Sequence, residues 1–483
     1  MYDVLIIGCG VTGAALAYEL SRYQLKTAVI ERENDVAMGA TKANSAILHA
    51  GYDPLSGTLM GQLNVRGSAR ALEICQALGV PVRQCGSLVI GFTPEDRTIL
   101  EELLRRGREN GVPDLRMLTG GEARGLEPNL SPAVTCALHA PTAAICSPWS
   151  YCLAMMEQAV LRGTGLFLER EVQGLERLPA GWQVQTSQGP LESRLIVNAA
   201  GVFSGRIHNM AAPHTWSISP SRGQYYLLDK SEGARVSHII FQCPGTSGKG
   251  VLVAPTVHGN LIVGPSAEPV EGEDTATTTA GLDFVRAAAL KSVPSIDFRA
   301  SIRNFSGVRA RASTGDFILG EDPEAPGLFH AAGICSPGLS AAAAIAEHLT
   351  AALEASGLSL TARETLPELT PHPLPFRALS PAEKAALVAR DPAYGRVICR
   401  CETVTEGEIL SALHGPIPPR SLDGVKRRTN AGMGRCQSGF CGPRVAELLC
   451  RELGITPDQV LQDQKGTQLL IEPTKGRCPR DAR

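Results

Sequence analysis

Three glycines near the start of the chain constrain its fold more than any other feature. Gly8, Gly10 and Gly13 stand between a strand pattern at residues 4–7 and a helix pattern at residues 14–23. In this arrangement the first glycine permits a tight turn, the second lets a pyrophosphate approach the backbone, and the third lets the helix pack on the sheet. The N–H groups at the helix start favour phosphate binding. The pattern therefore predicts a dinucleotide site on a Rossmann-type α/β domain.

A carboxylate closes the second predicted strand. Glu31 follows residues 26–30 and lies 23 residues after Gly8. At that position a carboxylate accepts hydrogen bonds from ribose hydroxyls, which favours FAD or NAD over NADP. A later strand pattern at 328–332 leads through a tight turn into an Ala-rich helix. The backbone amides of that turn suit the flavin end of an elongated cofactor, although close packing alone also explains an Ala-rich helix.

A chain of 483 residues is too long to form one compact core, and its composition changes along the sequence. Residues 1–355 alternate strand and helix patterns, and their β-rich runs predict an inserted antiparallel substrate sheet within about 80–140 and 215–305. Residues 356–393 are rich in proline and are predicted to form a stiff linker. The last two segments are a cysteine-bearing domain at 394–450 and a polar tail at 451–483.

Charge and hydropathy exclude several classes of protein. The chain has 46 Lys and Arg against 48 Asp and Glu, a formal net charge of -2, which argues against a protein that coats nucleic acid or an anionic membrane. No apolar run reaches the ~18 residues of a membrane span. The N-terminus has no signal-peptide pattern. We therefore expect a cytoplasmic protein with no integral membrane span and no nucleic-acid partner.

Four of the 14 cysteines form a spaced set near the C-terminus. The spacing is Cys399-x-Cys401, then 34 residues, then Cys436-x4-Cys441. Four thiolates suit either tetrahedral zinc or a [2Fe–2S] cluster. Zinc ribbons prefer Cys-x2-Cys at both ends, so this spacing favours the cluster.

Basic residues accompany the cysteines. They have two interpretations: a solvated basic face, or groups that partly neutralise an anionic cluster or dock an acidic redox partner. These residues are Lys426, Arg427, Arg428 and Arg435.

Four segments together resemble the FAD-binding set of the D-amino-acid oxidase-like, glutathione-reductase-type flavoprotein superfamily. They are residues 6–13, 29–31, 198–201 and 327–340. The resemblance extends from residue 1 to about 355 and implies FAD as the cofactor. The cofactor contacts that it implies, with those of the glycine-rich turn, are Gly8, Gly10, Gly13, Glu31, Thr41, Asn44, Ser45, Gly201, Asp316, Gly333, Gly338, Leu339 and Ser340.

Residues 39–51 look like the flavin-facing stretch of L-2-hydroxyglutarate and FAD-linked glycerol-3-phosphate dehydrogenases. This likeness implies that His49 lies near the isoalloxazine. Residues 397–402 and 428–441 resemble the bacterioferritin-associated-ferredoxin-type [2Fe–2S] domain, which is small and mainly helical. That domain is appended to anaerobic glycerol-3-phosphate dehydrogenase large subunits and to some amino-acid and opine dehydrogenases.

Together the two resemblances imply a dehydrogenase that exports electrons. A flavin accepts a hydride, whereas a [2Fe–2S] centre passes electrons singly. The expected partners are a small anionic substrate and an electron-accepting protein subunit, which a hetero-oligomer would supply. We also expect slow reaction with oxygen.

Substrate oxidation at an H–C–OH or H–C–NH centre needs a base and an anion anchor. His49 is the candidate base because imidazole accepts a proton near pH 7, although a single histidine is more often structural. Guanidinium grips an anion with two parallel hydrogen bonds. Arg309 is the leading anchor, because its Gly-Val-Arg stretch resembles the one that meets the substrate anion in this superfamily. Arg222 and Arg311 are further candidates, and Lys249 is a weaker one.

The last flavin-binding turn bears on the choice of substrate. Glycerol-3-phosphate dehydrogenases usually carry a Gly-Gly-Lys-type loop there, whereas residues 333–338 read GICSPG and contain no lysine. We therefore expect a 2-hydroxy acid such as 2-hydroxyglutarate, with glycerol 3-phosphate as the second choice and an amino or imino acid as the third. The alternative outside enzymes is a redox carrier that turns over no substrate, and the Arg and His candidates argue against it.

Overall fold

A computed structural model describes residues 1–213, 215–245 and 250–471. The chain divides into two units. The first comprises residues 1–32 and 36–372, and the second comprises residues 33–35 together with the described residues from 373 onward. No helix in these ranges is both long and apolar enough to cross a membrane.

The strands of the described residues are β1 (Tyr2–Ile7), β2 (Thr27–Ile30), β3 (Ile47–Leu48), β4 (Val82–Gln84), β5 (Ser87–Gly91), β6 (Arg116–Thr119), β7 (Cys136–Ala140), β8 (Ala144–Cys146), β9 (Gly165–Phe167), β10 (Val172–Leu178), β11 (Gly181–Thr186), β12 (Leu191–Asn198), β13 (Ile218–Leu228), β14 (Ile239–Gln242), β15 (Leu252–Pro255), β16 (Leu261–Gly264), β17 (Glu268–Pro269), β18 (Ser301–Ala312), β19 (Ile318–Glu321), β20 (Leu328–Ala332), β21 (Val397–Cys399) and β22 (Val404–Thr405).

The α-helices of the same ranges are α1 (Val11–Leu20), α2 (Leu59–Ala77), α3 (Pro94–Glu109), α4 (Gly120–Leu126), α5 (Pro148–Leu161), α6 (Ser204–His208), α7 (Thr279–Ser292), α8 (Gly338–Ala355), α9 (Pro381–Arg390), α10 (Glu406–Leu413), α11 (Leu422–Thr429) and α12 (Gly442–Leu453).

The first unit contains a sheet whose central strands are parallel, in the order β9, β2, β1, β12 and β20. Strands β10 and β11 extend it in antiparallel fashion, and β19 pairs antiparallel with β20. The last four residues of β1 are buried, as expected for a parallel strand covered on both faces. Helix α1 packs against α5 and α8. This arrangement confirms the predicted Rossmann-type α/β domain.

A second sheet of the same unit is drawn from two separate stretches of chain. Its order is β17, β13, β16, β15, β14, β5, β7 and β6, and β18 pairs with β13. The pairs are antiparallel except for β5 with β14, which run parallel. The long β13–β18 pair runs from Ile218 opposite Ala312 to Leu228 opposite Ser301. The predicted inserted antiparallel sheet is confirmed, with one parallel pair that the sequence did not predict.

The second unit is small and mainly helical, as the fold prediction expected. Helices α10, α11 and α12 and the short β21–β22 pair surround a core that includes Cys399, Val425 and Leu449. Helix α9 begins inside the Pro-rich stretch, because Ser380 and Glu383 form a capping box and Pro381 occupies the first turn. Composition alone did not predict this helix.

Three of the basic residues near the cysteines are buried rather than solvated. The Asp35 carboxylate accepts hydrogen bonds from Arg427 Nη2 at 2.9 Å and from Arg428 Nη2 at 2.8 Å. Burial raises the pKa of Asp35, but the two guanidinium groups outweigh it and hold that pKa well below its usual range. The further ion pairs are Lys426 with Asp423 at 2.6 Å and Arg427 with Asp463 at 2.7 Å. The interpretation of residues 426–428 as a solvated basic face is therefore wrong.

Replacing Asp35 by Asn should destabilise the second unit by about 3 kcal/mol, because two buried guanidinium groups lose the carboxylate they share and Arg427 alone keeps another, Asp463. In the parent protein this contribution should be lost as the pH falls below about 4, the ordinary pKa of an aspartate. Urea unfolding followed by circular dichroism measures both effects.

Glu447→Gln provides the control for this prediction. It removes an exposed ion pair of the same unit, Arg444 with Glu447 at 3.3 Å, and should change the free energy of unfolding by less than about 0.5 kcal/mol. Equal losses in the two variants would contradict the argument from burial.

Candidate functional site

The glycine-rich turn lies between β1 and α1 in close contact with the end of β12. Gly8 has a φ of +103°, and a Cβ built on it would lie 2.6 Å from the Ala199 carbonyl oxygen. A Cβ on Gly13 would collide with the Gly8 carbonyl. Gly201, which follows β12, also has a positive φ of +57°. These contacts require glycine at positions 8 and 13 for the reasons that the motif predicted.

Two side chains approach the backbone N–H groups of this turn. Glu31 Oε2 accepts from the Cys9 N–H at 2.8 Å, and Thr41 Oγ1 accepts from the Val11 N–H at 2.9 Å. A Cβ on Gly10 would lie 3.3 Å from Thr41 Oγ1, so this part of the turn is narrow. The turn offers backbone without side chains at its glycines, next to the start of α1 and to the Glu31 carboxylate after β2. Together these groups fit the pyrophosphate and ribose of a dinucleotide.

The loop after β2 is organised by its own polar residues. The Asn44 amide donates to the Thr41 carbonyl at 2.8 Å and accepts from the Ala46 N–H at 2.7 Å. The neighbouring Ser45 hydroxyl is hydrogen-bonded to the Tyr225 side chain. The structure therefore gives Asn44 a role in shaping the loop and joins Ser45 to the second sheet.

The last predicted flavin-binding turn meets this loop. Gly333 follows β20 with a φ of +67°, and α8 begins at Gly338, followed by the half-buried Leu339. Ser340 Oγ accepts from the His49 N–H at 2.7 Å. The turn and the segment that carries His49, directly after β3, are thus held together by a buried hydroxyl.

Asp316 has a different set of contacts from those that the resemblance implied. Its carboxylate accepts from the N–H groups of Leu59 at 2.7 Å and Met60 at 3.0 Å, at the start of α2. It also accepts from the Phe317 N–H at 2.8 Å. Capping of α2 accounts for this residue, and we leave it out of the proposed cofactor contacts.

His49 is half-buried and has an aromatic neighbour on one face. Its ring stacks on Phe241 with centroids 5.7 Å apart and an interplanar angle of 28°. Its Nε2 lies 3.4 Å from Ser336 Oγ, in the last flavin-binding turn. Sequence reasoning identified His49 but neither neighbour, because Phe241 lies on a distant strand and a serine in a turn has no distinctive pattern.

The face of the second sheet that carries Arg309 lies against the loop after β2. A Cβ on Gly307 would collide with the Ala43 carbonyl, and a Cβ on Gly223 would collide with the Arg309 guanidinium. Arg309 Nη2 donates to the Ser266 carbonyl at 3.3 Å, and the positive charge of Arg309 partly offsets the rise that burial causes in the pKa of Tyr225. This cation is therefore on the same side as Ser45, which lies four residues before His49.

The other predicted anchors are placed differently. Arg222 is buried and forms ion pairs with Glu268 at 3.2 Å and Asp274 at 2.6 Å, so two carboxylates already neutralise it. Arg311 is exposed on the same face of β18 as Arg309. Lys249 lies outside the described residues.

The four cysteines of the second unit come together as two pairs. Cys401 Sγ and Cys436 Sγ are 3.7 Å apart, and Cys399 interacts electrostatically with Cys441, with which it shares the core of the second unit. Two thiolates on one tetrahedral metal with bonds of about 2.3 Å are roughly 3.8 Å apart, so this geometry fits ligation. The interaction between Cys399 and Cys441 lowers the pKa of Cys399 and raises the pKa of Cys441, so the first thiol of this pair ionises more readily than the second. Two pairs suit a [2Fe–2S] cluster.

A third cluster has the chemistry of a metal site but is better explained by hydrogen bonds. His208, Asp322 and His330 are buried with their ligand atoms within 4.8 Å of one another. The Asn198 amide is fixed by the Ser204 carbonyl and the Ala200 N–H, so it presents its NH₂ to His330 Nδ1 at 3.2 Å. The proton of His330 must then be on Nε2, which donates to Asp322 at 2.8 Å and cannot bind a metal.

Comparisons with known proteins agree with both parts of the site. The family model described as FAD dependent oxidoreductase (DAO) matches residues 3–352, and the model described as BFD-like [2Fe-2S] binding domain matches residues 397–451. The FAD and the [2Fe–2S] cluster that the sequence predicted are therefore confirmed as cofactors.

One of the curated relatives spans both units, and two others match a smaller part of the chain. A glycerol 3-phosphate dehydrogenase of Caloramator mitchellensis is 44% identical over 98% of this chain and 99% of its own length. A glycerol 3-phosphate oxidase of Mycoplasma pneumoniae is 31% identical over 71% of this chain and 92% of its own length. An L-2-hydroxyglutarate dehydrogenase of Indibacter alkaliphilus is 27% identical over 55% of this chain and 68% of its own length.

The solved structures show the same fold. The L-alpha-glycerophosphate oxidase of Mycoplasma pneumoniae with FAD bound has a TM-score of 0.72 and 28% identity, and the match covers 77% of this chain and 99% of that one. A glycerol-3-phosphate dehydrogenase of Bacillus halodurans has a TM-score of 0.71 at 17% identity and covers 95% of this chain and 92% of that one. From these matches and the geometry of the two sites, the chain belongs to the DAO family of FAD-dependent oxidoreductases and carries a BFD-like [2Fe–2S] domain.

Proposed function

We propose that the protein is a glycerol-3-phosphate dehydrogenase. The observation that carries this proposal is the 44% identity to the Caloramator mitchellensis enzyme, which extends over 98% of this chain and so includes the cysteine segment as well as the flavin domain. The similarity favours glycerol 3-phosphate over the 2-hydroxy acid that the sequence analysis placed first.

Arg309 is the proposed anchor for the substrate phosphate. Its guanidinium occupies space that a side chain at Gly223 would fill, and the phenol of Tyr225 lies close to its charge. Burial raises the pKa of Tyr225, so at neutral pH its hydroxyl is uncharged and available as a donor. A guanidinium and a phenol hydroxyl together offer the donors that a phosphate dianion requires.

His49 is the proposed base for the substrate hydroxyl. FAD accepts the hydride when it is bound, so the protein must take the hydroxyl proton and fix the carbon against the flavin. The stacking on Phe241 fixes the plane of the ring, and the contact of Nε2 with Ser336 fixes the direction of its nitrogen. The neutral imidazole accepts the proton near pH 7.

A 2-hydroxy acid remains the second candidate. The specific observation in its favour is the turn at residues 333–338, which carries no lysine for a phosphate. An arginine anchor binds a carboxylate as readily as a phosphate, so Arg309 does not separate the two substrates.

Electrons are proposed to leave through the [2Fe–2S] cluster to a separate protein acceptor. Each oxidised substrate releases two electrons and two protons, so two molecules of a one-electron acceptor are reduced in each turnover. Cys401 is exposed and Cys436 is half-buried, whereas Cys399 and Cys441 are buried. The first pair therefore marks the side from which an electron can leave.

The substrate is tested by anaerobic visible spectra of the holoenzyme. Addition of glycerol 3-phosphate should bleach the flavin band, whereas L-2-hydroxyglutarate at the same concentration should leave it oxidised. Bleaching by the hydroxy acid alone would overturn the proposed substrate and restore the second candidate.

The anchor is tested with Arg309→Ala. Loss of a charge-assisted contact worth about 1.5–3 kcal/mol should raise the KM for glycerol 3-phosphate by roughly 10- to 100-fold. Steady-state kinetics with an artificial acceptor measures this change. The matched variant Arg311→Ala removes an exposed arginine from the same strand and should alter KM by less than about twofold. A larger effect of Arg311→Ala would assign the anchor to that residue instead.

The electron route is tested with Cys401→Ser. This variant should lose most of its iron and acid-labile sulfide, because one of the four ligands is gone. Flavin bleaching by the substrate should persist, while reduction of one-electron protein acceptors should be largely abolished. Cys450→Ser, a cysteine of the same unit outside the ligand set, serves as the control. Full-rate reduction of such acceptors by the cluster-free variant would show that electrons leave from the flavin.

A further inference from the structure

The protein surface next to the exposed cysteine ligands has a composition unlike the rest of the cysteine segment. Phe440, which precedes the ligand Cys441, is 84% exposed. Arg400, between the ligands Cys399 and Cys401, is exposed, and so is Arg435, which precedes Cys436. We call Arg400, Arg435 and Phe440 the cluster-side surface.

The arginines of this surface differ from the basic residues of helix α11 in whether they are paired with carboxylates. Residues 426–428 are buried and paired with carboxylates. By contrast, neither Arg400 nor Arg435 forms an ion pair or a side-chain hydrogen bond within residues 1–213, 215–245 and 250–471. The buried basic residues of this segment are thus paired with carboxylates. Arg400 and Arg435, next to the accessible cysteines, have no carboxylate partner within the described residues.

Phe440 adds an exposed apolar side chain beside a further ligand, Cys441. Among the described residues, Cys441 is part of the core of the second unit, whereas Phe440 is not. Exposed aromatic and arginine side chains together are typical of a protein interface, in which Phe and Arg are enriched. Burying such a ring in a complex excludes water from the path between the two redox centres.

We propose that the cluster-side surface is the docking site for the electron acceptor, and that this acceptor is a soluble one-electron redox protein with an acidic surface around its own redox group. Charge complementarity carries this choice, because two unpaired guanidinium groups attract carboxylates and repel a basic protein. The inference rests on the proposed exit of electrons through the cluster. Each encounter moves one electron from the reduced cluster to the oxidised acceptor.

The test uses two haem proteins of opposite charge as probes: acidic cytochrome b5 and basic cytochrome c. The holoenzyme is reduced anaerobically with stoichiometric dithionite, so the result does not depend on the identity of the substrate. The variants are Arg400→Glu with Arg435→Glu, Arg435→Glu alone, and Phe440→Ser. The matched control, Arg108→Glu with Arg299→Glu, makes the same change of net charge at exposed arginines of the first unit.

The double charge reversal should slow electron transfer to cytochrome b5 by about tenfold or more at low ionic strength, and high salt should shrink the difference. Transfer to cytochrome c should be unchanged or faster. Binding of oxidised cytochrome b5, measured by a visible difference titration, should weaken in parallel. Phe440→Ser should weaken binding to cytochrome b5 at both low and high salt, since its contribution is apolar. The control should match the parent.

Three outcomes would overturn the proposal. Unchanged transfer to cytochrome b5 in all variants would remove the surface from the electron route. Equal slowing with both cytochromes would point to a damaged cluster, which the absorption and electron paramagnetic resonance spectra of Arg435→Glu and Phe440→Ser check independently. Slower passage of electrons from flavin to cluster, with unchanged transfer to cytochrome b5, would assign the surface to contact with the first unit. A wrong substrate would instead appear only when glycerol 3-phosphate replaces dithionite.

Discussion

The contact between the Gly8 turn and the Ala199 carbonyl determines the geometry of the flavin site. The Ala199 carbonyl oxygen, just after β12, lies 2.6 Å from the position that a Cβ on Gly8 would occupy, and Gly8 itself follows the neighbouring parallel strand β1. Any larger residue would separate the turn from the sheet. The direction of α1, and with it the direction of the N–H groups offered to the cofactor, follows from this contact.

A second glycine pair performs a similar task on the other sheet. Gly223 and Gly307 are directly opposite each other in the β13–β18 pair. The absence of side chains lets the loop after β2 approach the sheet at Ala43 and leaves room for the Arg309 guanidinium. A larger residue at position 307 would therefore displace the loop, and a larger residue at position 223 would displace Arg309, the proposed substrate anchor.

Local patterns in the sequence predicted the features that depend on neighbours along the chain. The glycine-rich turn and the cysteine spacing belong to this class, whereas the role of His49, which the family resemblance implied, stays a prediction. Features that depend on distant partners were not predictable. The carboxylates that neutralise Arg222 are 46 and 52 residues away, and those paired with Arg427 are 392 and 36 residues away. Asp316 caps a helix that begins more than 250 residues earlier. The identity of the substrate could not be predicted from a single motif either, because an arginine anchor binds phosphate and carboxylate alike.

The ion pairs of Asp35 have a consequence for how such a chain can be divided. Residues 33–35 group with the iron–sulfur unit although they follow directly on a strand of the flavin unit. A fragment that starts in the Pro-rich stretch would contain every cluster ligand, yet it would bury Arg427 and Arg428 without the carboxylate they share. Such a fragment would keep Asp463 beside Arg427 but would leave Arg428 without its carboxylate, so it should be less stable than the same residues in the full chain. In transferring this domain to another protein, an acid supplied at the place of Asp35 would restore that charge balance.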